Sequence, residues 1–401
     1  MGCSSSNEDK IGCCSCKSII ENDNYKQTTA TTKEEIDNDK NIQNFDKDGD
    51  LKDDNIEIKD DKKYSNPEDN VNKTFKQTTV TIKEEIDNVI NYSNPKDIID
   101  IEKIKNYIKT MPSREELTLS ETVEHLKSII KENNLIQEEI AFLSFCWMAE
   151  NVTYAHEELH NGIKVDCSVE GMYKNGKSVC SGFSRLYNHL TTNLGIETEN
   201  ISGYAKGSGY VPGESYHTNH DWNAIKLRNK WYLLDITWGE GHSIHNKYVK
   251  EFNPFYFCTP PKYFIYQHFP NEEKWQLLDK PISEKEYIDM INYKHNFFTY
   301  GFTEIIPNKS VVNINNNQYN MKVYFEKNEN LRLKINLYFE NNKDENIGKE
   351  NCIIDKKDNY FDVIFNLPQK GLYNVKLYGS NSENKYHIKY NDIAKFIIEY
   401  N

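Results

Sequence analysis

Residues 171–195 read GMYKNGKSVCSGFSRLYNHLTTNLG. A turn rich in Asn and Gly leads to Cys180, after which Phe183, Leu186, Tyr187, Leu190 and Leu194 recur at helical spacing. Gly195 stands where a left-handed residue commonly closes a helix. The spacing predicts a buried helix with Cys180 at or just before its first turn. The N–H groups of a first turn have no partner within the helix, and the dipole is positive there, so a thiolate is favoured. The thiolate, not the thiol, is the nucleophile, and the same N–H groups can receive a developing oxyanion. Ser181 and Gly182 are small, which predicts an approachable sulfur. On this stretch alone, an ordinary buried cysteine competes with that reading.

Forty residues downstream, residues 220–238 read HDWNAIKLRNKWYLLDITW. Two alternating runs, 220–227 and 230–238, flank Arg228 and Asn229, which predicts a β-hairpin. With a loop of two or four residues, Leu227 pairs with Lys230 or Lys226 with Trp231. Trp222 then opposes Asp235, and His220 opposes Thr237. His220, Trp222, Trp231, Leu233 and Asp235 share one face. Asp235 becomes the diagonal neighbour of His220 at a Cβ separation of roughly 7 Å. A loop of three or five residues would turn Asp235 away, and Arg-Asn is not a favoured two-residue turn. An imidazole is the usual base near neutral pH, and a carboxylate fixes its tautomer. His217 is a rival base in a polar, Gly-rich loop, and alternation points Asp221 away from His220. A surface histidine beside a strand-end aspartate is the bland alternative.

Upstream, Ile98, Ile99, Ile101, Ile104, Tyr107 and Ile108 keep one apolar helical face. A second helix is expected after Pro112 and Ser113, with Ser120 as its cap and Glu121 and Glu124 in its first turn. Residues 137–151 (QEEIAFLSFCWMAEN) are apolar on most sides and predict a buried third helix. From about Phe297 the period becomes two. The runs 321–325, 331–339, 360–367, 373–379 and 394–400 predict a small antiparallel β-sandwich.

Residues 1–100 carry 14 Lys against 23 acidic residues, so -9 of the net -13 falls there. With few aromatic residues, this stretch has little apolar area to offset chain entropy and is expected to be a disordered acidic tail. It holds one duplication, KQTTATTKEEIDN (26–38) and KQTTVTIKEEIDN (76–88), together with an echo of YSNPED at Tyr64 in YSNPKD at Tyr92. Two copies are too few for a solenoid. Duplicated linker or paired docking motifs are the readings. The acidic balance argues against nucleic acid as a partner. No stretch has the apolar length of a spanning helix, and residues 1–10 lack the apolar core of a secretory signal. The 9 cysteines are therefore expected to be reduced rather than paired in disulfides.

The start, MGCSSS, fits the N-myristoylation pattern, with Gly2 as acceptor. One acyl chain binds membranes only marginally, and the neighbours are acidic. The second signal would be palmitoyl thioesters on Cys3, joined by Cys13, Cys14 or Cys16. An unmodified start, and a metal site from those three cysteines, are the alternatives. Residues 44–55 imitate a calcium loop but end in Asn55 rather than Glu and read as a solvated acidic run. His242 and His245 lack a third ligand at metal spacing, so no metal and no cofactor are expected.

The stretches GKSVCSGFSRLYNHL, ISGYAKGSGY and HDWNAIKLRNKWYLLDITWG, followed by a β domain, resemble the kyphoscoliosis peptidase group of the transglutaminase-like superfamily. The resemblance runs from about Gln137 to the C-terminus. It implies a papain-like core in which Cys180, His220 and Asp235 occupy the three motif positions. It also implies thioester chemistry, in which Cys180 attacks a carbonyl, His220 protonates the leaving group, and water or an amine resolves the acyl-enzyme. The expectation is an α+β chain: an acidic tail (1–100) with a lipid anchor, a transglutaminase-like cysteine domain (101–295), and a β-sandwich (296–401). Such a chain would act as a peptidase or acyltransferase on protein substrates, cytoskeletal ones included, at the cytosolic face of a membrane. The alternative is a catalytically silent scaffold that uses the same core to bind cytoskeletal proteins.

Overall fold

The computed structural model describes residues 94–401, apart from 208, 245, 246, 341–344 and 385. The expectations for Gly2, Cys3, the other early cysteines, the duplicated motif and the calcium-like run lie outside the described residues. Residues 94–100, expected in the tail, are folded. Pro95–Ile98 forms a 3-10 turn capped by Asn94, Pro95 and Ile99 are buried, and Asn94 Nδ2 donates to the Cys258 carbonyl at 2.7 Å. A proline and an isoleucine anchored on the core outweigh the polar composition that precedes them.

Three helices follow: α1 (Ile101–Lys109), α2 (Leu119–Asn133) and α3 (Gln137–Asn151). Thr118, not Ser120, caps α2. Its hydroxyl accepts from Glu121 N, and the Glu121 carboxylate accepts from Thr118 N, so the reciprocal pairing starts the helix two residues earlier. Helix α3 is buried continuously from Ala141 to Ala149, as its all-round apolar character requires. Helix α4 (Cys180–Asn193) lays Phe183, Leu186, Tyr187 and Leu190 into the same core, and each is closed to water. Burying side chains of this size contributes about 1.5–3 kcal/mol apiece. Tyr187 Oη donates to the Ala141 carbonyl at 3.0 Å, which fixes α4 on α3. Gly195, at φ +86, closes the helix in the left-handed region.

The core sheet runs β3-β2-β1-β4, all pairs antiparallel. Its strands are β1 (Glu197–Ala205), β2 (His220–Leu227), β3 (Lys230–Leu234) and β4 (His268–Pro270). The β2–β3 ladder runs from Leu227 opposite Lys230 to Asn223 opposite Leu234, which is the two-residue register. Arg228 (φ +48) and Asn229 (φ +65) are both left-handed, as a hairpin matched to strand twist needs. The second strand is shorter than the alternation predicts. It stops at Leu234, and Asp235 begins a short helix, α5 (Ile236–Glu240), by capping it.

The C-terminal part packs two sheets face to face. One is ordered β5-β7-β10-β9: Phe302–Ile306, Gln318–Phe325, Tyr360–Asn366 and Cys352–Lys356. The other is ordered β6-β12-β11-β8: Val311–Ile314, Asn391–Tyr400, Gly371–Ser380 and Arg332–Phe339. Met321, Val323, Val363, Phe365, Leu337, Val375 and Phe396 fill the space between them. All pairs are antiparallel except β6 on β12, and Asn292–Tyr293 adds a short antiparallel pairing to β12, ahead of position 296. Buried amines fasten the sandwich to the core. Lys206 Nζ donates to the carbonyls of Tyr287 at 2.5 Å and Met290 at 2.8 Å, and Lys395 Nζ donates to the Tyr210 carbonyl.

Candidate functional site

Cys180 is the first residue of α4, following Val179 in an extended conformation that supplies no side-chain cap. The small residues after it have a steric cause. A Cβ at Gly182 would lie 2.2 Å from Ser178 Oγ, so only glycine lets the first turn of α4 seat on the strand residue before it. The sulfur is not approachable as expected, since Cys180 is only 2% exposed.

Helix α4 runs alongside β2 in the same direction. Asn223 Nδ2 donates to the Ser184 carbonyl at 3.0 Å, and Thr191 hydrogen-bonds Thr198, whose register partner is Ile225. The Cys180 end of the helix therefore lies toward the His220 end of the strand. Helix α5, which Asp235 caps, packs against α4 as well.

His220 Nε2 and Asp235 Oδ2 are 2.7 Å apart, and both side chains are closed to water. Since a carboxylate can only accept, the proton sits on Nε2, and the neutral ring presents Nδ1 as its lone-pair nitrogen. Asp235 reaches His220 differently from the expected strand diagonal. Its backbone N–H leaves the hairpin to donate to the Tyr256 carbonyl at 2.9 Å, and its Oδ1 accepts the Trp238 N–H at 3.1 Å as a helix cap. Asp221 faces away and pairs with Ser202, and His217 is exposed, its ring near the Ser215 carbonyl.

A residue that the sequence pattern did not single out completes the cluster. His268 Nε2 lies 2.9 Å from the same Asp235 Oδ2 and is equally buried. It reaches there across the middle strand. His220 is opposite Gly203 on β1, and His268 is opposite Ala205, so all four share one sheet face. Gly203 and Ala205 have almost no side chain, which lets imidazoles from β2 and β4 meet above β1 with ring centroids 5.6 Å apart. A Cβ at Gly203 would lie 2.2 Å from the Phe269 carbonyl and 2.5 Å from the Trp222 ring. Phe264 stacks on His268 at 3.9 Å, and Trp222 and Trp238 flank it. The alternating small residues Gly203 and Ala205 were the one sequence signal for this crossing.

Full burial pushes the Asp235 carboxyl up, but the attraction of His220 and hydrogen bonds from both imidazoles prevail, holding it below the usual carboxylate range. Burial pushes His268 down to about 4 against the pull of Asp235, so its ring is neutral at physiological pH. Tyr256 is pushed up by burial and then by the Asp235 charge, and stays a phenol.

Two histidines and a carboxylate within 4.8 Å of one another are also a possible ligand set for a divalent ion. The spacing fits protons better. Donors about 2.0–2.1 Å from a tetrahedral zinc ion lie about 3.3 Å from one another. Here the nitrogen–oxygen separations are 2.7 and 2.9 Å, on one shared oxygen. The three groups would have to spread apart to admit an ion. Of the His242 and His245 pair, His242 is exposed beside Glu251 at 3.6 Å, and His245 lies outside the described residues.

A family model described as transglutaminase-like superfamily matches residues 126–236, a span that contains Cys180, His220 and Asp235. A second, described as KY-like, immunoglobulin-like domain, matches residues 284–401. The chain is 29% identical over 223 residues to kyphoscoliosis peptidase of Mus musculus, covering 52% of this chain and 34% of that protein. For kyphoscoliosis peptidase of Homo sapiens the identity is 27% over 220 residues, covering 54% and 32%. Hillarin of Drosophila melanogaster is 29% identical over 146 residues, covering 33% and 18%. The chain thus spans about a third of the length of the first two relatives and less of the third.

Proposed function

Because the chain carries a transglutaminase-like domain followed by a KY-like, immunoglobulin-like domain, we propose that it is a cysteine peptidase or protein acyltransferase. Cys180 is the nucleophile, His220 the acid–base group and Asp235 the carboxylate that orients it. The observation that carries the reading is the buried 2.7 Å bond between His220 Nε2 and Asp235 Oδ2, which leaves Nδ1 as the ring's proton-accepting nitrogen. The thiol proton passes to Nδ1, and the sulfur adds to a carbonyl carbon of a protein substrate. The resulting oxyanion is stabilised at the positive end of α4. The tetrahedral adduct collapses with cleavage of its C–N bond, and the leaving amine takes the proton from Nδ1. The thioester is then resolved by water, giving an acid, or by a second amine, giving an amide, with His220 accepting and returning a proton. Attachment to the cytosolic face of a membrane through acyl groups on Gly2 and Cys3, and substrates among cytoskeletal proteins, belong to the same proposal. They are supported by the MGCSSS start and by the resemblance of the core.

One observation favours a second reading, a catalytically silent scaffold that binds cytoskeletal proteins: Cys180 is 2% exposed. Iodoacetamide at pH 6, with the labelled thiols mapped by mass spectrometry, separates the two. Burial pushes the thiols of Cys146 and Cys258 up and that of Cys352 to about 12, so these react slowly, and the partly exposed Cys167 sets the background. Cys180 is expected to be labelled ahead of Cys167, and His220→Ala to abolish that lead. Labelling of Cys180 no faster than Cys167 in the natural chain supports the scaffold.

A further inference from the structure

The Asp235 carboxylate is served by two imidazoles, yet a nucleophile needs only one. Its Oδ1 is held by the Trp238 N–H at 3.1 Å, and its Oδ2 is shared between His220 at 2.7 Å and His268 at 2.9 Å. We infer that His268 is a positioning residue, a second N–H donor that holds Asp235 Oδ2 in line with the His220 ring and keeps the carboxylate ionised. The inference rests on the cysteine-nucleophile reading above.

Three observations carry it. First, the contact is built: Gly203 and Ala205 clear the middle strand so that a histidine two strands away can reach the carboxylate. Second, His268 is fixed from several sides by Phe264, Trp222 and Trp238, which hold the ring with its Nε2 toward the carboxylate. Third, it is the right kind of donor. A neutral imidazole beside a carboxylate carries its proton on the nitrogen that faces it, and adds no positive charge to compete with a His220 imidazolium. A second cation at that position would repel the imidazolium that forms when Cys180 gives up its proton. The titratable groups facing His268 are Asp235, His220 and the Tyr256 phenol, whose hydroxyl donates to Gln267 Oε1 at 3.3 Å rather than to the carboxylate.

With one donor to Oδ2 removed, the buried carboxylate loses a charge-assisted hydrogen bond and holds its proton more tightly. The Cys180–His220 ion pair is then less favoured. The loss of such a bond corresponds to about tenfold or more in rate. The test is the pH dependence of Cys180 alkylation from pH 4.5 to 9 in the natural chain, His268→Phe and His268→Gln. Phenylalanine keeps the ring stacked on Phe264 without a donor, whereas glutamine keeps an N–H. Expected are a rate about tenfold lower and an acid midpoint about one pH unit higher for His268→Phe, with both restored in His268→Gln. A second measurement needs no variant. Nitrogen-15 NMR of the natural chain should show His268 neutral and protonated on Nε2 from pH 6 to 8. Selective Cys180 labelling with the same profile in His268→Phe, or a proton on His268 Nδ1, overturns the positioning role alone. Absence of selective labelling in the natural chain overturns the catalytic reading and this role with it.

Discussion

Asp235 does two things through two oxygens, and a change of one atom separates them. Oδ1 caps α5 through the Trp238 N–H, and Oδ2 carries the charge that both imidazoles meet. Asp235→Asn keeps a good capping group and removes the charge. Its unfolding midpoint in urea is expected to fall, because the charge that two buried imidazoles meet is lost, while Cys180 labelling at pH 6 falls by about a hundredfold or more. Asp235→Ala loses the cap too, and is expected to cost about 1 kcal/mol more stability. Equal labelling in Asp235→Asn and the natural chain would remove the carboxylate from the mechanism. At this scale the places of Cys180 at a helix start and His220 at a strand start were legible from strong local patterns, and so was the pairing of His220 with Asp235, although Asp235 caps α5 rather than ending a strand. His268 was not. It lies 33 residues beyond Asp235 in a three-residue strand, where no periodicity can develop, and its importance arises only when β1 places two small residues between β2 and β4.

The β2–β3 hairpin shows why a turn can carry a residue that its conformation does not favour. Both turn positions are left-handed, which suits Asn or Gly better than Arg. Arg228 is there because its Nε lies 2.8 Å from Oε1 of Glu138, a carboxylate in α3 that is 2% exposed, and because its backbone N–H donates to Gln137 Oε1 at 3.0 Å. The pairing locks the hairpin register onto the helix layer, and with it the approach of Asp235 to His220. Asn229→Gly is expected to stabilise the chain by about 0.5–1 kcal/mol, because φ of +65° suits glycine. Arg228→Asn improves the turn yet leaves the buried Glu138 carboxylate without its cation, and is expected to destabilise by about 3 kcal/mol or more. Urea denaturation of the two variants checks both signs, and stabilisation by Arg228→Asn would show that the ion pair is dispensable. Turn chemistry alone leaves the register open between two and four residues, because the deciding partner is Glu138, which lies far back in the chain on α3. Most strands of the sandwich, by contrast, declare themselves by alternation, and β10 and β7 follow it residue by residue, whereas the short β5, β6 and β9 were not singled out.

Across the whole molecule, the two parts are joined through amines whose charged form burial disfavours. Lys206 and Lys395 are pushed down to about 7, chiefly by desolvation. An amine without its third proton has two N–H groups, and Lys206 directs its nitrogen at two carbonyls. In the unfolded chain both lysines keep a proton to about pH 10.4. Between about pH 7 and 10 the unfolded state therefore binds more protons than the folded one, so stability rises with pH across that window and is lost as pH falls through 7. Glu240, pushed up to about 7 by burial, acts in the opposite sense, but only below that window. The thermal midpoint is expected to climb from pH 7 to 9, and Lys206→Met and Lys395→Met to flatten the climb. An unchanged slope in both variants would mean that the joint does not sense protons. The sequence announced neither lysine, since each lies among residues of ordinary polarity and becomes enclosed only when the second domain docks. The closure around Cys180 has a different reach. A sulfur shut away to this degree can meet a folded polypeptide only during the intervals when its surroundings part. For the proposed cysteine nucleophile, turnover would then keep time with those fluctuations, and small esters and intact proteins would be processed at rates that differ by how wide a breach each requires rather than by the innate appetite of the thiolate.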